Sequence, residues 1–295
     1  LSLRMFPVPS VDLKLYRRIG RYATNLVGFR FLGYWTTNID NLMIGRKLGM
    51  SDLGQYSRAY ALYNLSVNLI QAVIGPILHT SFAKIIDDSE RLKKECGTAF
   101  DVLASLSFPM MGFASIYSSE IVYAAWGPQW GAAVLPFSVL EIAVIFRPVE
   151  AIPGELLKAN GKTQELVFWA ILKLILYTSA IIIGLKAGIL GVACGVSISA
   201  LLFWLFFVNL TLIKNLKIKL SELFVFYRSS LELFISVVAV AFILKYVVLS
   251  GLGETQRLVL SLPLIGGVYV FVSWVSKNKI YQIALAIMSK NRVSI

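Results

Sequence analysis

The chain contains a succession of apolar segments that are each long enough to cross a lipid bilayer. A transmembrane helix needs about 20 mostly apolar residues, because each residue advances a helix by about 1.5 Å through a hydrocarbon core of roughly 30 Å. Only helices and closed barrels satisfy every backbone hydrogen bond in lipid. We therefore predict an all-α fold, a polytopic membrane helix bundle of about eight transmembrane helices. The predicted spans are residues 22–44, 54–80, 98–117, 131–156, 164–185, 188–212, 229–249 and 257–276.

The composition supports a membrane protein and argues against several other classes. Hydrophobic residues make up 57% of the 295 residues and charged residues only 15%, which is far too apolar for a soluble domain. The net charge of +12 could suggest nucleic-acid binding, but the Lys and Arg residues lie between apolar segments, as in loops beside anionic lipid. With one histidine and no paired-cysteine or HExxH spacing, we expect no metal site and no cofactor.

The distribution of basic residues predicts the orientation of the chain. Connectors after the second, fourth, sixth and eighth segments are rich in Lys and Arg, whereas the alternate connectors carry few. By the positive-inside rule, the basic lead-in (1–21) and the tail (277–295) are both predicted to be cytoplasmic. The exception is the pair Arg46 and Lys47, which this orientation would place on the outer side.

The first two segments each carry a polar stripe. In both, four polar residues recur at i, i+4, i+8 and i+11, which confines them to an arc of roughly 80° on a helix. Polar stripes on membrane helices face a bundle interior or a water-filled cavity, so these residues are candidates for a transport path. They are Arg30, Tyr34, Asn38 and Asn41 in the first segment and Tyr60, Asn64, Asn68 and Gln71 in the second.

The fourth segment combines charges with two prolines. Arg147 and Glu150 are spaced i, i+3 and could pair on one helix face. Pro148 and Pro153 predict a bent or broken helix, a feature of membrane helices that line transporter cavities. A purely structural ion pair near the helix end is the alternative.

Other intramembrane charges have no partner at helical spacing. Arg30 requires a partner from another helix or from an anionic substrate, unless it extends to the membrane surface. Lys173 is predicted either to line a cavity or to pair with another helix. Lys245, near the end of its segment, is predicted to extend to the surface, and Asp40 to act as a cap or to pair with Arg46.

Several segments together resemble a known family. They are NIDNLMIGRKLGMSDLGQYSRAY, IIDDSERLKK, EIVYAAWGPQW and ELLKANGK, and the likeness extends from about residue 10 to residue 210. The chain resembles the bacterial polysaccharide exporter family, which includes the colanic acid and teichuronic acid exporters, within the superfamily of multidrug, oligosaccharidyl-lipid and polysaccharide exporters. This resemblance implies a non-enzymatic, multi-pass protein of the bacterial inner membrane.

The resemblance also implies a substrate and a domain organisation. The expected partners are an undecaprenyl-diphosphate-linked oligosaccharide, which would be flipped to the outer leaflet, and membrane lipid. The chain resembles one lobe of a two-lobe exporter, so we expect an N-terminal lobe upstream of Leu1. The expected domains are the cytoplasmic linker 1–21, the six-helix lobe 22–212, an amphipathic connector 213–228, two additional transmembrane helices 229–276 and the cytoplasmic tail 277–295.

Within this interpretation each candidate residue has an expected role. Cations would meet the diphosphate, and polar uncharged side chains would meet the sugar. The cationic candidates are Arg30, Arg147 and Lys173, with Glu150 as a neighbour of the cavity; the sugar candidates are the remaining polar residues of the two stripes.

Three other functions are compatible with parts of the sequence. A cation-coupled multidrug-type exporter would favour acidic cavity residues, whereas the lone charges here are mostly cationic. A membrane enzyme, such as a glycan polymerase, would be expected to have a large outer loop or a catalytic His/Asp pair. The third alternative is an inactive truncated fragment.

Overall fold

The computed structural model describes residues 13–85, 88–218, 220–276 and 281–282, and the regular structure in these residues is helical. The first residues of the predicted cytoplasmic linker and nearly all of the predicted tail lie outside this part of the chain. The helices are α1 (Leu13–Lys47), α2 (Met50–Ile85), α3 (Ser89–Ile116), α4 (Ser118–Trp126), α5 (Val134–Glu141), α6 (Ala151–Ala159), α7 (Thr163–Gly184), α8 (Gly188–Phe203), α9 (Asn209–Leu216), α10 (Leu220–Ile243) and α11 (Glu254–Val275).

Five helical runs in the described residues are long and apolar enough to cross a membrane. They are Ser89–Ile116, Pro128–Ala159, Thr163–Leu216, Ser230–Val248 and Glu254–Val275. The third run, of 54 residues, contains α7 and α8, which pack against each other. Helices α1 and α2 have 35 and 36 residues but carry the polar stripes, which lower their hydropathy. The all-helical membrane fold is confirmed, and the count of eight spans stays a prediction.

The fourth predicted span is a broken helix, as its prolines predict. Short 3-10 turns at Ile142–Ile145 and Pro148–Glu150 separate α5 from α6. Pro148 begins the second turn, where its missing N–H costs little, and Pro153 lies in the first turn of α6. Arg147 and Glu150 therefore lie outside a regular α-helix, in backbone that is tolerated at membrane depth only inside protein.

The connector predicted at 213–228 is divided between two helices. Helix α9 ends at Leu216, Lys217 adopts a left-handed conformation, and α10 begins at Leu220. Helix α10 therefore starts well before the predicted span at 229. The predicted domain boundaries stay predictions.

Helices α7 and α8 approach each other through small residues. A Cβ atom built on Gly195 would lie 2.6 Å from the carbonyl oxygen of Ala180, and Cβ atoms on Gly184 and Gly191 would each collide with the backbone of the other residue. Lipid provides no hydrophobic force between helices, so such backbone contact is a main source of their association. The contact holds α7 against the centre of the bundle and fixes which of its side chains point inward.

The last two helices, α10 and α11, pack on the side of the bundle. Helix α10 lies along α3, while α11 contacts α4 and α10. Their apolar contacts form a small cluster around Tyr117, separate from the large core built by the preceding helices.

Candidate functional site

A cavity of about 170 Å³ lies between α1, the broken fourth span, α7 and the end of α8. Aromatic and small apolar side chains form most of its wall, and the charged groups come from the broken span and from α7. The lining includes Gly33, Thr36 and Thr37 of α1, Arg147 and Glu150 of the broken span, Trp169 and Lys173 of α7, and Phe203 of α8.

Arg147 is held by an aromatic residue of α7. Its Nη2 donates a hydrogen bond of 2.6 Å to the hydroxyl oxygen of Tyr177, which is fully buried. The guanidinium carbon also lies 5.1 Å from the centre of the Tyr177 ring, within the range of a cation–π contact. The guanidinium group is therefore oriented from one side by α7.

Glu150 forms an ion pair with Lys173. The two side chains are 11% and 15% exposed, and the ammonium of Lys173 lies 4.7 Å from the centre of the Phe203 ring. The predicted pairing of Arg147 with Glu150 is wrong. Lys173 and Tyr177 are spaced i, i+4 on α7 and face the broken span together, so each takes one of the two charged residues.

Lys173 thus has both of the roles predicted as alternatives for it. It lines the cavity and it pairs with another helix, through an acid 23 residues away in the sequence. Removing only one partner of such a buried pair would leave an uncompensated charge, so the pair fixes α7 relative to the broken span.

A cluster of tyrosines extends from α2 towards this charged group. The ring centres of Tyr56 and Tyr60 are 5.7 Å apart, and those of Tyr60 and Tyr63 are 5.3 Å apart. The Tyr56 hydroxyl donates a 2.9 Å hydrogen bond to Asp40 Oδ2, and the Asn41 N–H donates to Asp40 Oδ1 at 2.8 Å. Asp40 is therefore a buried partner of α2. Of the two roles expected for it, a cap or a partner of Arg46, the second is not found among the described residues.

Several polar atoms around the charged group are buried and unsatisfied. They are Tyr63 Oη, Arg147 Nε and Glu150 Oε1, and none has a hydrogen-bond partner among the described residues. Buried polar atoms nearly always have a partner in folded proteins, whether protein, water or ligand. This part of the bundle has unused capacity to bind water or the polar groups of a ligand.

The α1 stripe does not line the cavity. Arg30 and Tyr34 are exposed, whereas Asn38 and Asn41 are half-buried, and Asn38 donates a 2.7 Å hydrogen bond to the Tyr34 carbonyl. Arg30 forms no ion pair among the described residues. The cavity receives Gly33, Thr36 and Thr37 instead, on a face roughly 100° away, because that face of α1 packs towards α7.

The α2 stripe is divided between the interior and the surface. Tyr60 is only 5% exposed and belongs to the tyrosine cluster. Asn64 is half-buried, while Asn68 and Gln71 are exposed. The structure therefore brings Tyr60, Arg147, Glu150 and Lys173 together and leaves most of the stripe residues outside this group. Substrate roles for all of these residues stay predictions.

Two buried charged groups have partners that helical spacing does not reveal. Glu141 is fully buried and accepts a 2.9 Å hydrogen bond from Ser66, which joins α5 to α2 next to the broken segment. Lys245 was expected to extend to the membrane surface but is 7% exposed. Its Nζ lies 2.8 Å from Glu120 Oε2 and donates a 2.6 Å hydrogen bond to the Ile116 carbonyl.

In the described residues no three His, Cys, Asp or Glu side chains are grouped to hold a metal ion.

Replacing Tyr177 by Phe is expected to destabilise the chain by about 1.5–3 kcal/mol. The substitution leaves the ring contact but removes the acceptor of a hydrogen bond from a charged donor. The free energy of unfolding, followed by circular dichroism during denaturation in detergent, would measure this loss. Tyr34→Phe is the matched control, because Tyr34 is 63% exposed, and an equal effect in both variants would contradict a special role for the Arg147 contact.

The fold and the sequence both resemble proteins of known class. Residues 1–135 match the family described as "Polysaccharide biosynthesis protein". The chain is 27% identical over 176 residues to the lipopolysaccharide biosynthesis protein WzxC of Escherichia coli (strain K12), a match covering 59% of this chain and 36% of that protein. It is 28% identical over 178 residues to the teichuronic acid biosynthesis protein TuaB of Bacillus subtilis (strain 168), covering 60% of this chain and 37% of that protein.

A solved structure shares the fold. The lipid II flippase MurJ, in an inward closed conformation, superposes with a TM-score of 0.63 at 15% sequence identity, over 85% of this chain and 52% of the flippase. The matches thus cover little more than a third of the two curated relatives and about half of the flippase. The resemblance noted from the sequence is confirmed: the chain is similar to bacterial polysaccharide biosynthesis proteins over part of their length, and it shares its fold with part of a lipid II flippase.

Proposed function

We propose that the chain forms part of a flippase that moves a lipid-linked polysaccharide repeat unit from the cytoplasmic to the outer leaflet of a bacterial inner membrane. Its similarity to polysaccharide biosynthesis proteins and its flippase-like fold support this class. The observation that carries the proposal is a cavity in an apolar bundle lined by Arg147 and Lys173. Ionisable groups inside membrane bundles are costly and are retained at substrate or ion pathways.

The two cations suit a diphosphate carrier lipid such as undecaprenyl diphosphate. Arg147 is held on one side by Tyr177, while its Nε has no partner among the described residues and is free to donate to a phosphate oxygen. Lys173 is occupied by Glu150 in this conformation. A diphosphate would compete with Glu150 for Lys173, so substrate entry and breakage of this ion pair would be coupled.

The cavity must enlarge before it can hold a glycan. Its 170 Å³ is below the roughly 300–1,000 Å³ of typical ligand pockets. Enlargement by movement of α1 away from α7 would open the charged group to the cytoplasmic or the outer side. The conformation described here is then one in which the substrate path is closed around its charged residues.

The exposed part of the two stripes supports a second, opposing half of the transporter. Arg30, Tyr34, Asn68 and Gln71 are exposed on this chain, and an uncovered polar stripe on a membrane helix is costly in lipid. We place these residues, with Asn38, Asn41 and Asn64, along the path of the sugar between the two halves. The partial coverage of the relatives supports an additional half of this kind.

Deletion of the gene in its native host tests the proposed function directly. Lipid-linked repeat units are expected to accumulate on the inner face of the membrane, and surface polysaccharide is expected to disappear. The measurement is extraction of the lipid-linked glycan combined with its accessibility to an impermeant modifying reagent. Normal surface polysaccharide without accumulation would overturn the proposal.

Substitution of the cavity cations tests the site. Arg147→Ala and Lys173→Met, each made in the intact gene product, are expected to lower surface polysaccharide at least about tenfold, since each removes an attraction to the diphosphate worth about 1.5–3 kcal/mol. Lys186→Ala, at an exposed turn, is the control and should leave export unchanged. Membrane levels of each variant are compared by immunoblot.

Arg30→Ala tests the stripe in the same way, and unchanged export in that variant would remove Arg30 from the path.

A further inference from the structure

An open pocket of about 650 Å³ lies at one end of the bundle, away from the charged cavity. It is formed by the beginning of α1 and by the turn that joins α6 to α7. Cationic and amide side chains converge on it: Arg21 and Asn25 from α1, and Asn160 and Lys162 from the turn. Gly161 allows this tight turn, because its φ of +67° lies in the left-handed region that other residues rarely adopt.

The pocket has a net positive charge. Arg21 is exposed and forms no ion pair among the described residues. The Lys162 ammonium donates a 2.6 Å hydrogen bond to the neutral Asn215 side chain, so its charge is not cancelled. The one carboxylate in the wall, Glu165, is paired with Lys214 at 3.0 Å. Two cations therefore remain to attract an anion.

A second, more apolar pocket adjoins the first. The two share Gln164 and Glu165. The second, of about 320 Å³, has the Glu165–Lys214 ion pair at its entrance and continues along Phe168 of α7 and Leu210 of α9. Phe168 is 61% exposed and Leu210 is 51% exposed, both on the surface of apolar helices. The pair of pockets thus offers a basic, amide-rich end and a hydrocarbon-like continuation, which matches the two parts of a phospholipid.

We propose that these adjoining pockets bind an anionic lipid, with its phosphate between Arg21 and Lys162, its headgroup hydroxyls at Asn25 and Asn160, and its hydrocarbon chain along Phe168 and Leu210. Arginine recognises phosphate through paired N–H donors, and lysine contributes a point charge. The site does not depend on the proposed flippase activity. Its phosphate could come from a bilayer phospholipid or from an isoprenyl diphosphate.

Lipid binding to the purified full chain tests the proposal. Native mass spectrometry in detergent would measure dissociation constants for dioleoyl-phosphatidylglycerol, dioleoyl-phosphatidylcholine and undecaprenyl diphosphate. The double variant Arg21→Ala with Lys162→Gln is expected to weaken binding of the anionic lipids at least about tenfold, since each basic residue near a phosphate contributes roughly 1 kcal/mol. The charge-conserving variant Arg21→Lys with Lys162→Arg should retain most of the affinity.

The matched control is Arg46→Ala with Lys47→Ala. It removes the same charge from the other end of α1, where both residues are exposed, and should change affinity by less than about twofold. Equal weakening in both double variants, or equal affinity for phosphatidylcholine, would overturn the proposal. Tighter binding of phosphatidylglycerol would identify a bilayer lipid as the occupant, and tighter binding of undecaprenyl diphosphate would identify a carrier lipid.

The hydrocarbon part of the site has its own test. Phe168→Asp places a charge where the hydrocarbon chain of the lipid would lie, so it should weaken binding of dioleoyl-phosphatidylglycerol. Binding of dihexanoyl-phosphatidylglycerol, whose chains are too short to reach Phe168, should be nearly unchanged. Equal effects on the long-chain and short-chain lipids would contradict the assignment of the second pocket to the hydrocarbon chain.

Discussion

Replacing Glu120 by Ala is expected to destabilise the chain by about 3–5 kcal/mol, because the substitution leaves the buried ammonium of Lys245 without its counter-charge. Glu120 is 1% exposed, and its two oxygens lie 2.8 Å from Lys245 Nζ and 3.6 Å from Arg257 Nη1. Lys245 also bonds the carbonyl of Ile116 and the hydroxyl of Ser119, so its position is fixed. The free energy of unfolding in detergent is the measurement.

Two further variants separate this mechanism from a general loss of packing. Adding Lys245→Met to Glu120→Ala should recover much of the lost stability, because no isolated charge then remains buried. Glu165→Ala breaks the ion pair with Lys214, whose side chains are 32% and 65% exposed, and should cost less than about 1 kcal/mol. A double variant as unstable as Glu120→Ala alone would show that the buried charge is not the cause.

Replacing Gly191 by Ala is expected to cost about 2–3 kcal/mol through a single added methyl group. The new carbon would collide with the carbonyl group of Gly184 and lie 2.7 Å from the Ala187 side chain. Backbone atoms cannot move aside as a flexible side chain can, so α7 and α8 must separate and lose contact along their length. Unfolding free energy and cross-linking between cysteines placed on α7 and α8 would both report the separation.

The same substitution at Gly266 of α11 provides the control. A Cβ at Gly266 meets nothing within 4 Å, so Gly266→Ala should leave stability unchanged or raise it by up to about 1 kcal/mol through helix propensity. Both variants add one methyl group, but only Gly191→Ala is expected to lower the free energy of unfolding. A similar loss at both positions would contradict the close-contact interpretation.

Apolar length predicted the helical fold well because lipid leaves the backbone few alternatives. The break in the fourth span was also predictable, since Pro148 cannot donate the hydrogen bond that a continuous helix needs there. The resemblance to polysaccharide exporters rested on short motifs in the hairpin between α1 and α2 and in the connectors. All of them except ELLKANGK lie within residues 1–135, which match the family described as "Polysaccharide biosynthesis protein".

Partner choice within the bundle could not be predicted from helical spacing. Glu150 and Lys173 are 23 residues apart, and Glu120 and Lys245 are 125 apart, so rules for i, i+3 and i, i+4 pairs do not detect them. The expected pairing of Arg147 with Glu150 failed because α7 offers both a cation and a tyrosine to the broken span. The sequence also did not predict which face of α1 lines the cavity, because Gly33, Thr36 and Thr37 lie on a face that shows little polarity in the sequence.

The broken fourth span also constrains how the chain can assemble in a membrane. Residues 142–150 form short turns in place of a continuous α-helix, and Pro148 has no N–H to donate, so this segment is less stable than an α-helix if lipid surrounds it alone. It becomes stable only when its neighbours enclose it: α2, α3 and α8 pack around it, and α7 binds its two charged side chains. Helix α8 is synthesised after the broken span. Until α8 has inserted, this span is therefore only partly shielded from lipid, by α2 and α3. Variants that weaken the α7–α8 contact should therefore be recognised by membrane proteases during synthesis.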